Sequence, residues 1–175
     1  MKFKIIDNFL QKKVYQEISN YLTSNKVPWY FIDKDVIGDE YGSTKNKNGY
    51  YSCCFYNKFE PDHESFYKYI PPILDKLKVR ALIQIRANLI FRDIDTKESA
   101  FHADFPYSNS TTGILFFSTC NAQTILKIED QEIAVDSVEN RMLLFPTNVL
   151  HKAIYQDNLH KRYLINFNFF GEPWQ

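Results

Sequence analysis

Glycine is scarce in this chain, five in 175 residues, and cysteine is scarcer, with three. Cys53 and Cys54 are adjacent and Cys120 stands alone. That pattern excludes both a disulfide framework and a C-x-x-C zinc pair, and an intracellular, cytoplasmic setting is expected. Long hydrophobic runs are missing: no stretch approaches the roughly 18 consecutive apolar residues of a membrane-spanning helix. The opening MKFKIIDNFLQKK is basic but reaches Asp7 after a short apolar run, so neither secretion nor membrane spanning is expected. An excess of charge is missing too, since Lys plus Arg is 21 and Asp plus Glu is 21. Without a net field to gather nucleic acid or anionic lipid, nucleic acid is not an expected partner, and any charge-based recognition has to be local. There is also no internal repeat, low-complexity run or linker to divide the chain.

What is present is apolar. A content of 45% hydrophobic and 17% aromatic residues fills one core but not two, so a single domain over 1–175 is expected. Lys2 to Ile6 reads as a strand, after which Asp7 or Asn8 offers a cap for a helix. On that helix Val14, Ile18, Tyr21 and Leu22 share a face, opposite Lys12, Lys13, Gln16 and Glu17. Trp29 to Ile37 reads as a strand, and the segment Gly38 to Tyr50 (GDEYGSTKNKNGY) loses all periodicity and holds three of the five glycines. A helical stretch from Asp62 to Leu77 is interrupted by Pro71 and Pro72, which remove two amide donors and split it.

From Arg80 the pattern turns to strands. In Ala81 to Phe91, residues Ile83, Ile85, Ala87, Leu89 and Phe91 face one way, and Leu82, Gln84, Arg86, Asn88 and Ile90 the other. Arg162 to Phe170 repeats this: Tyr163, Ile165, Phe167 and Phe169 form a dry face against Arg162, Leu164, Asn166, Asn168 and Phe170. Short strands are also expected at Thr112 to Ser118, Thr124 to Glu129, Glu132 to Val135, Met142 to Phe145 and His151 to Tyr155. The fold class that follows is α+β, mainly β. The strand pattern leaves a sandwich or a jelly-roll barrel open, with a core over 79–170 and helical support over 1–78 packed on one sheet.

His102 and Asp104 are two apart, so on an extended segment both side chains leave one face and can reach one ion. An H-x-[DE] arises by chance about half a time in a chain of this composition, so alone it means little. His151 follows 49 positions later, just after the turn-forming Pro146-Thr147-Asn148, and Arg162 opens the last strand 11 residues beyond. Two imidazoles and a carboxylate on one face of an octahedron leave three open positions, the arrangement suited to non-haem Fe(II).

The order H-x-D, a distal His about fifty residues on, then a basic residue about ten beyond it, resembles the Fe(II)/2-oxoglutarate-dependent dioxygenases, and within them the small prolyl 4-hydroxylase-like group. The likeness runs from about Val79 to Phe170, through RANLIF, His102-Ala103-Asp104, ENRMLLFP, His151 and RYLINFNF. It implies a double-stranded β-helix core of jelly-roll, cupin-like form, iron on His102, Asp104 and His151, 2-oxoglutarate as cosubstrate with its far carboxylate on Arg162, and O2 as oxidant. Asn166 stands where relatives often carry a cosubstrate-touching Thr, and Asn88 and Tyr107 are nominated as cosubstrate or pocket contacts. The implied reaction hydroxylates an aliphatic C–H of a protein or peptide side chain and releases succinate. A free amino acid or other small molecule is the alternative substrate, and a non-catalytic metal- or ligand-binding jelly roll the alternative class. Asn168 departs from the family: prolyl 4-hydroxylases commonly carry Trp there and nucleobase dealkylases a second Arg.

Plainer readings stand beside these. His102 could be a surface histidine near an acid, and Arg162 a rim residue in a weak surface ion pair. Gly38 to Tyr50 is read as surface slack before it is read as a substrate lid. His63 and His160 are expected to face solvent, Arg141 to be a structural donor, and Cys53 and Cys54 to behave as small apolar residues.

Overall fold

The computed structural model describes residues 3–32, 49–92, 98–107, 109–129 and 131–171. Strand β1 (Lys4–Ile6) leads to α1 (Lys12–Leu22), then β2 (Tyr30–Ile32), β3 (Tyr50–Asn57) and β4 (Glu60–Pro61). Two short helices follow, α2 (Ser65–Tyr69) and α3 (Pro71–Leu77), with Pro71 opening the second as the sequence required. The remaining strands are β5 (Val79–Phe91), β6 (Thr111–Phe116), β7 (Gln123–Ile128), β8 (Gln131–Asp136), β9 (Met142–Pro146), β10 (His151–Ile154) and β11 (Lys161–Gly171). Of the strand expected over Trp29 to Ile37, residues beyond Ile32 lie outside the described part, as does the segment Gly38 to Tyr50 short of Gly49.

The strands make two antiparallel sheets. The large one runs β1-β9-β6-β11-β5-β3-β2, with β4 on β3, and the small one runs β10-β7-β8. A bridge between His102 and His151 and another between Glu98 and Ile154 add the segment 98–102 to the free edge of β10. The architecture is mainly β, a helix-backed jelly roll. Among the described residues no helix is long and apolar enough to cross a membrane.

Period-two alternation on β5 and β11 decides which core each residue enters. Ile85, Ala87, Ile165, Phe167 and Phe169 are fully buried with Ile18, Tyr21 and Leu22 of α1 and Ile73 and Leu77 of α3. On the opposite face Leu164 joins Ile114, Phe116, Leu126, Val135 and Phe145 between the sheets. Strand β6 is buried on both sides, so Ile114, Leu115 and Phe116 follow one another without polar alternation.

Two expectations are corrected. Asp7 and Asn8 do not cap α1, whose first turn follows Gln11 with no side-chain cap. Asp7 instead takes a bidentate pair from Arg141, Nε to Oδ1 at 2.6 Å and Nη2 to Oδ2 at 3.0 Å, the structural donor role expected of that arginine. Asn140 completes the latch: its Oδ1 accepts from Leu10 N at 2.8 Å and its Nδ2 donates to Leu10 O at 2.9 Å. The second correction is a bulge. β5 slips one register step between Gln84 and Leu82, so Leu82 turns to the helix-side cluster instead of sharing the face of Gln84.

Phe167 is wholly buried under both helices and the sheet. Phe167→Ala should lower unfolding free energy by roughly 3–5 kcal/mol, the usual cost of an aromatic cavity, measured by urea denaturation.

Candidate metal centre

The two candidate ligand histidines are placed by backbone. His102 N donates to His151 O at 2.9 Å and His151 N to His102 O at 2.8 Å, a reciprocal antiparallel pair that brings residues 49 apart side by side. Their rings lie 4.3 Å apart between centroids. Asp104, two residues beyond His102, projects to the same side.

Hydrogen bonds at the far nitrogens set the tautomers. His102 Nδ1 lies 3.2 Å from Ala100 O and His151 Nδ1 lies 3.0 Å from Val149 O. A carbonyl only accepts, so each Nδ1 carries the proton and each Nε2 presents a lone pair. Those Nε2 atoms stand 3.8 Å (His102) and 3.6 Å (His151) from Asp104 Oδ1. The separations are too long for hydrogen bonds. Three electron-rich atoms thus converge within 4.8 Å of one another with no proton between them, which fits a divalent cation. Burial, and then His151, hold His102 below its ordinary 6.5, so its ring is neutral near pH 7.

Asp104 is the most tightly held of the three. Its Oδ2 accepts from Asn168 Nδ2 at 2.8 Å and from Thr112 Oγ1 at 2.9 Å. Asn168 Nδ2 also lies 2.9 Å from Thr112 Oγ1, and Thr147 Oγ1 lies 3.3 Å from the same hydroxyl. Thr112 gives its proton to the carboxylate, so Thr147 donates to it. Thr112 and Thr147 are fully buried and Asn168 nearly so. Burial pushes the Asp104 carboxyl up, but His151, Asn168, His102 and Thr112 outweigh it and keep it below the ordinary carboxylate value. The clamp engages Oδ2 and leaves Oδ1 to the histidines. The sequence places Asn168 on the polar face with Arg162 and Asn166 and shows it as a missing Trp or Arg, but this role depends on its register opposite Thr112 of β6, which the sequence alone does not give.

The triad opens into a cavity of about 370 Å³, whose other lining residues include Arg86, Asn88, Arg162 and Asn166. Arg162 is 1% exposed and far from a rim position. Its Nε donates to Ser137 Oγ at 3.3 Å, its guanidinium lies 5.6 Å from the Phe116 ring centre, and its Nη1 has no hydrogen-bond partner among the described residues. Burial pushes it down to about 10, so it remains charged at neutral pH. The Oδ1 atoms of Asn88 and Asn166 are buried and equally unpartnered. The unpartnered Nη1 of Arg162 fits an anionic ligand group, whereas the unpartnered Asn88 and Asn166 oxygens can be met only by hydrogen-bond donors.

Tyr107 is not brought to this cavity. It is 48% exposed and lines an outer groove, stacked between Phe105 and Phe170. His160 is exposed, whereas His63 is half-buried and bonds Ser65 at the start of α2. Cys53 and Cys54 are pushed up to about 12 and about 11 by burial, so both thiols are uncharged.

No family model matches the sequence, and no curated protein matches it. Solved structures do. An oxidoreductase of the 2OG-Fe(II) oxygenase family from Burkholderia pseudomallei superposes with TM-score 0.70 at 9% identity, covering 95% of this chain and 85% of that one. A prolyl hydroxylase from Trichoplax adhaerens, in complex with a peptide of the hypoxia inducible factor oxygen degradation domain, gives 0.66 at 17% identity over 97% and 84%. A non-haem alpha-ketoglutarate-dependent epimerase of nogalamycin biosynthesis gives 0.66 at 10% identity over 97% and 78%. The chain has the 2-oxoglutarate/Fe(II) oxygenase fold. Within that oxygenase fold, the His102, Asp104 and His151 cluster sits at one end of the cavity and Arg162 lines it too.

Asn168→Ala leaves Asp104 Oδ2 with one donor and should weaken Mn(II) or Fe(II) binding roughly tenfold to a hundredfold with the fold intact, read by competition with a metal-sensitive dye. The depressed His102 also sets the sign of a pH effect. Below about pH 6.5 the unfolded chain binds a proton that the folded ring resists. Its contribution to stability is therefore complete above that value and is lost as pH falls through the lower folded value. Denaturation of metal-free protein should show that decline, and His102→Gln should flatten it.

Proposed function

We propose that the protein is an Fe(II)- and 2-oxoglutarate-dependent dioxygenase that hydroxylates an aliphatic C–H of a protein or peptide side chain. The observation that carries this reading is the pairing, in one cavity, of a His102–Asp104–His151 set whose converging atoms carry no proton with the buried Arg162, whose Nη1 is unpartnered. Bound iron and 2-oxoglutarate supply dioxygen activation by oxidative decarboxylation, with succinate and CO2 released and a hydroxyl delivered to the substrate.

The chain's own residues do the positioning. His102, Asp104 and His151 hold the metal on one side and leave the other side to ligands. The Asn168 and Thr112 bonds keep Asp104 ionised and fix which oxygen it offers. Arg162 takes the far carboxylate of the cosubstrate through a planar fork, and burial makes that pair stronger than a surface one. In Asn166 and Asn88 the Nδ2 groups are the ends able to donate to the cosubstrate, which offers only acceptors, whereas their unpartnered Oδ1 atoms call for a donor on the substrate. Phe116 and Leu164 keep water from the guanidinium.

The peptide reading is supported by the Trichoplax prolyl hydroxylase likeness, whose partner is a peptide fragment. Asn168, in place of the Trp common in prolyl 4-hydroxylases, leaves proline unassigned as the target. A small-molecule substrate is the second reading, supported by the epimerase of nogalamycin biosynthesis, which superposes with the same TM-score of 0.66.

Oxygen-free protein given Fe(II) and 2-oxoglutarate should develop the weak visible charge-transfer band of a chelated keto acid; its absence from metal-loaded protein would overturn the proposal. Arg162→Ala should raise the Kd for 2-oxoglutarate in that titration roughly tenfold to a hundredfold while leaving metal affinity unchanged. Equal losses of both would make the arginine structural.

A further inference from the structure

The front face of β5 carries a second guanidinium. Arg86 lines the cavity between Gln84 and Asn88, opposite Asn166 on β11 and Cys54 on β3. Among the described residues it makes no ion pair and donates no hydrogen bond. Its neighbours are otherwise engaged or uncharged: Gln84 Nε2 donates to Asn57 Oδ1 at 3.2 Å, and the Cys54 thiol is neutral. Asp62 acts on Cys54 but forms no ion pair with Arg86. The positive charge of Arg86 is felt at His102, which it helps hold below the ordinary value after burial and His151.

A charge balance gives this meaning. The charged side chains lining the cavity, among the described residues, are Arg86, Asp104, Lys152 and Arg162. Lys152 is paired with Glu98 at 3.1 Å and lies 3.9 Å from Glu132, and both carboxylates are more than half exposed, so the excess negative charge of this cluster is screened by solvent outside the cavity. The other three sum to one positive charge, a divalent metal raises that to three, and a dianionic cosubstrate brings it back to one. The residual charge sits in a partly enclosed space, where an unmatched cation is costly and attracts an anion strongly. Arg162 and Arg86 are also separated by rows of the sheet. Arg162 is in register with Ile90 and Arg86 with Asn166, four residues along β11, about 13 Å at ordinary strand rise.

We propose that Arg86 is a second carboxylate-binding site of the cavity, taking an anionic group of the substrate beside the cosubstrate held by Arg162. The substrate class this specifies is a side chain or small molecule with a carboxylate near the carbon to be hydroxylated. The inference rests on the oxygenase reading above. A carboxylate could also come from the keto-acid end of 2-oxoglutarate itself, and the experiment separates the two sources.

The protein is loaded with Mn(II) and saturating 2-oxoglutarate, and the paramagnetic broadening of the acetate methyl proton signal is measured, with acetamide as the neutral control. Wild type should broaden acetate and not acetamide. Arg86→Gln should lose the effect by about tenfold or more and Arg86→Lys retain part of it, with the Kd for 2-oxoglutarate the same in all three. If Arg86→Gln instead weakens 2-oxoglutarate tenfold at unchanged metal affinity, and loaded wild type leaves acetate sharp, the carboxylate on Arg86 is the cosubstrate's own. If Arg86→Gln changes neither acetate broadening nor 2-oxoglutarate affinity, the site does not exist. Wild type that fails to bind Mn(II) or 2-oxoglutarate at all defeats the oxygenase reading first, and this inference with it.

Discussion

Two backbone hydrogen bonds, His102 to His151 and back, are the constraint on which the site depends. The chain separates these residues by four strands and their turns, and only a reciprocal antiparallel pair holds their side chains on one side at fixed spacing. Once the pair exists, each ring's Nδ1 finds a carbonyl of its own segment and its lone pair is turned inward. Asp104 follows by strand period. A metal site built this way needs no side chain to choose its rotamer unaided, because main-chain geometry has removed most of the alternatives.

A gradient of desolvation runs through the cavity. Arg162 is buried with one amino group unmatched, Asn88 and Asn166 present unmatched oxygens, and Asp104 is satisfied by Asn168 and Thr112. Polar groups in such a space are costly unless a ligand completes them, and a folded protein tolerates few of them. Their concentration on the front faces of β5 and β11, against wholly apolar back faces, divides the labour of those strands. The back carries the folding energy through Ile85, Ile165 and Phe167, and the front carries the chemistry.

Much of this was legible in the sequence because it rests on short periods. Alternation in ALIQIRANLIF and RYLINFNFF separated dry from polar faces, Pro71 marked the break between α2 and α3, and the spacing of His102, Asp104, His151 and Arg162 selected the residues that line the cavity. What was not legible depends on irregularity or on distant partners. Strand β3 was missed because YYSCCFYN does not alternate cleanly; a register shift between Cys54 and Tyr56 puts Phe55 and Tyr56 against the same core. The slip in β5 reversed Leu82 for the same reason. Asp7 looked like a helix cap because its partner Arg141 lies 134 residues away. Tyr107, nominated as a pocket contact, lines the outer groove instead, because the segment after Asp104 carries its ring onto Phe105 and Phe170.

The clamp on Asp104 has a mechanical side. Asn168 and Thr112 belong to the large sheet, whereas His151 belongs to β10 of the small one. The ligand set therefore straddles the seam between the two layers. Any breathing of one sheet against the other would stretch or relax the spread of donor atoms, so an ion bound there would act as a stitch across that seam and tie the aperture of the barrel to its own preferred radius.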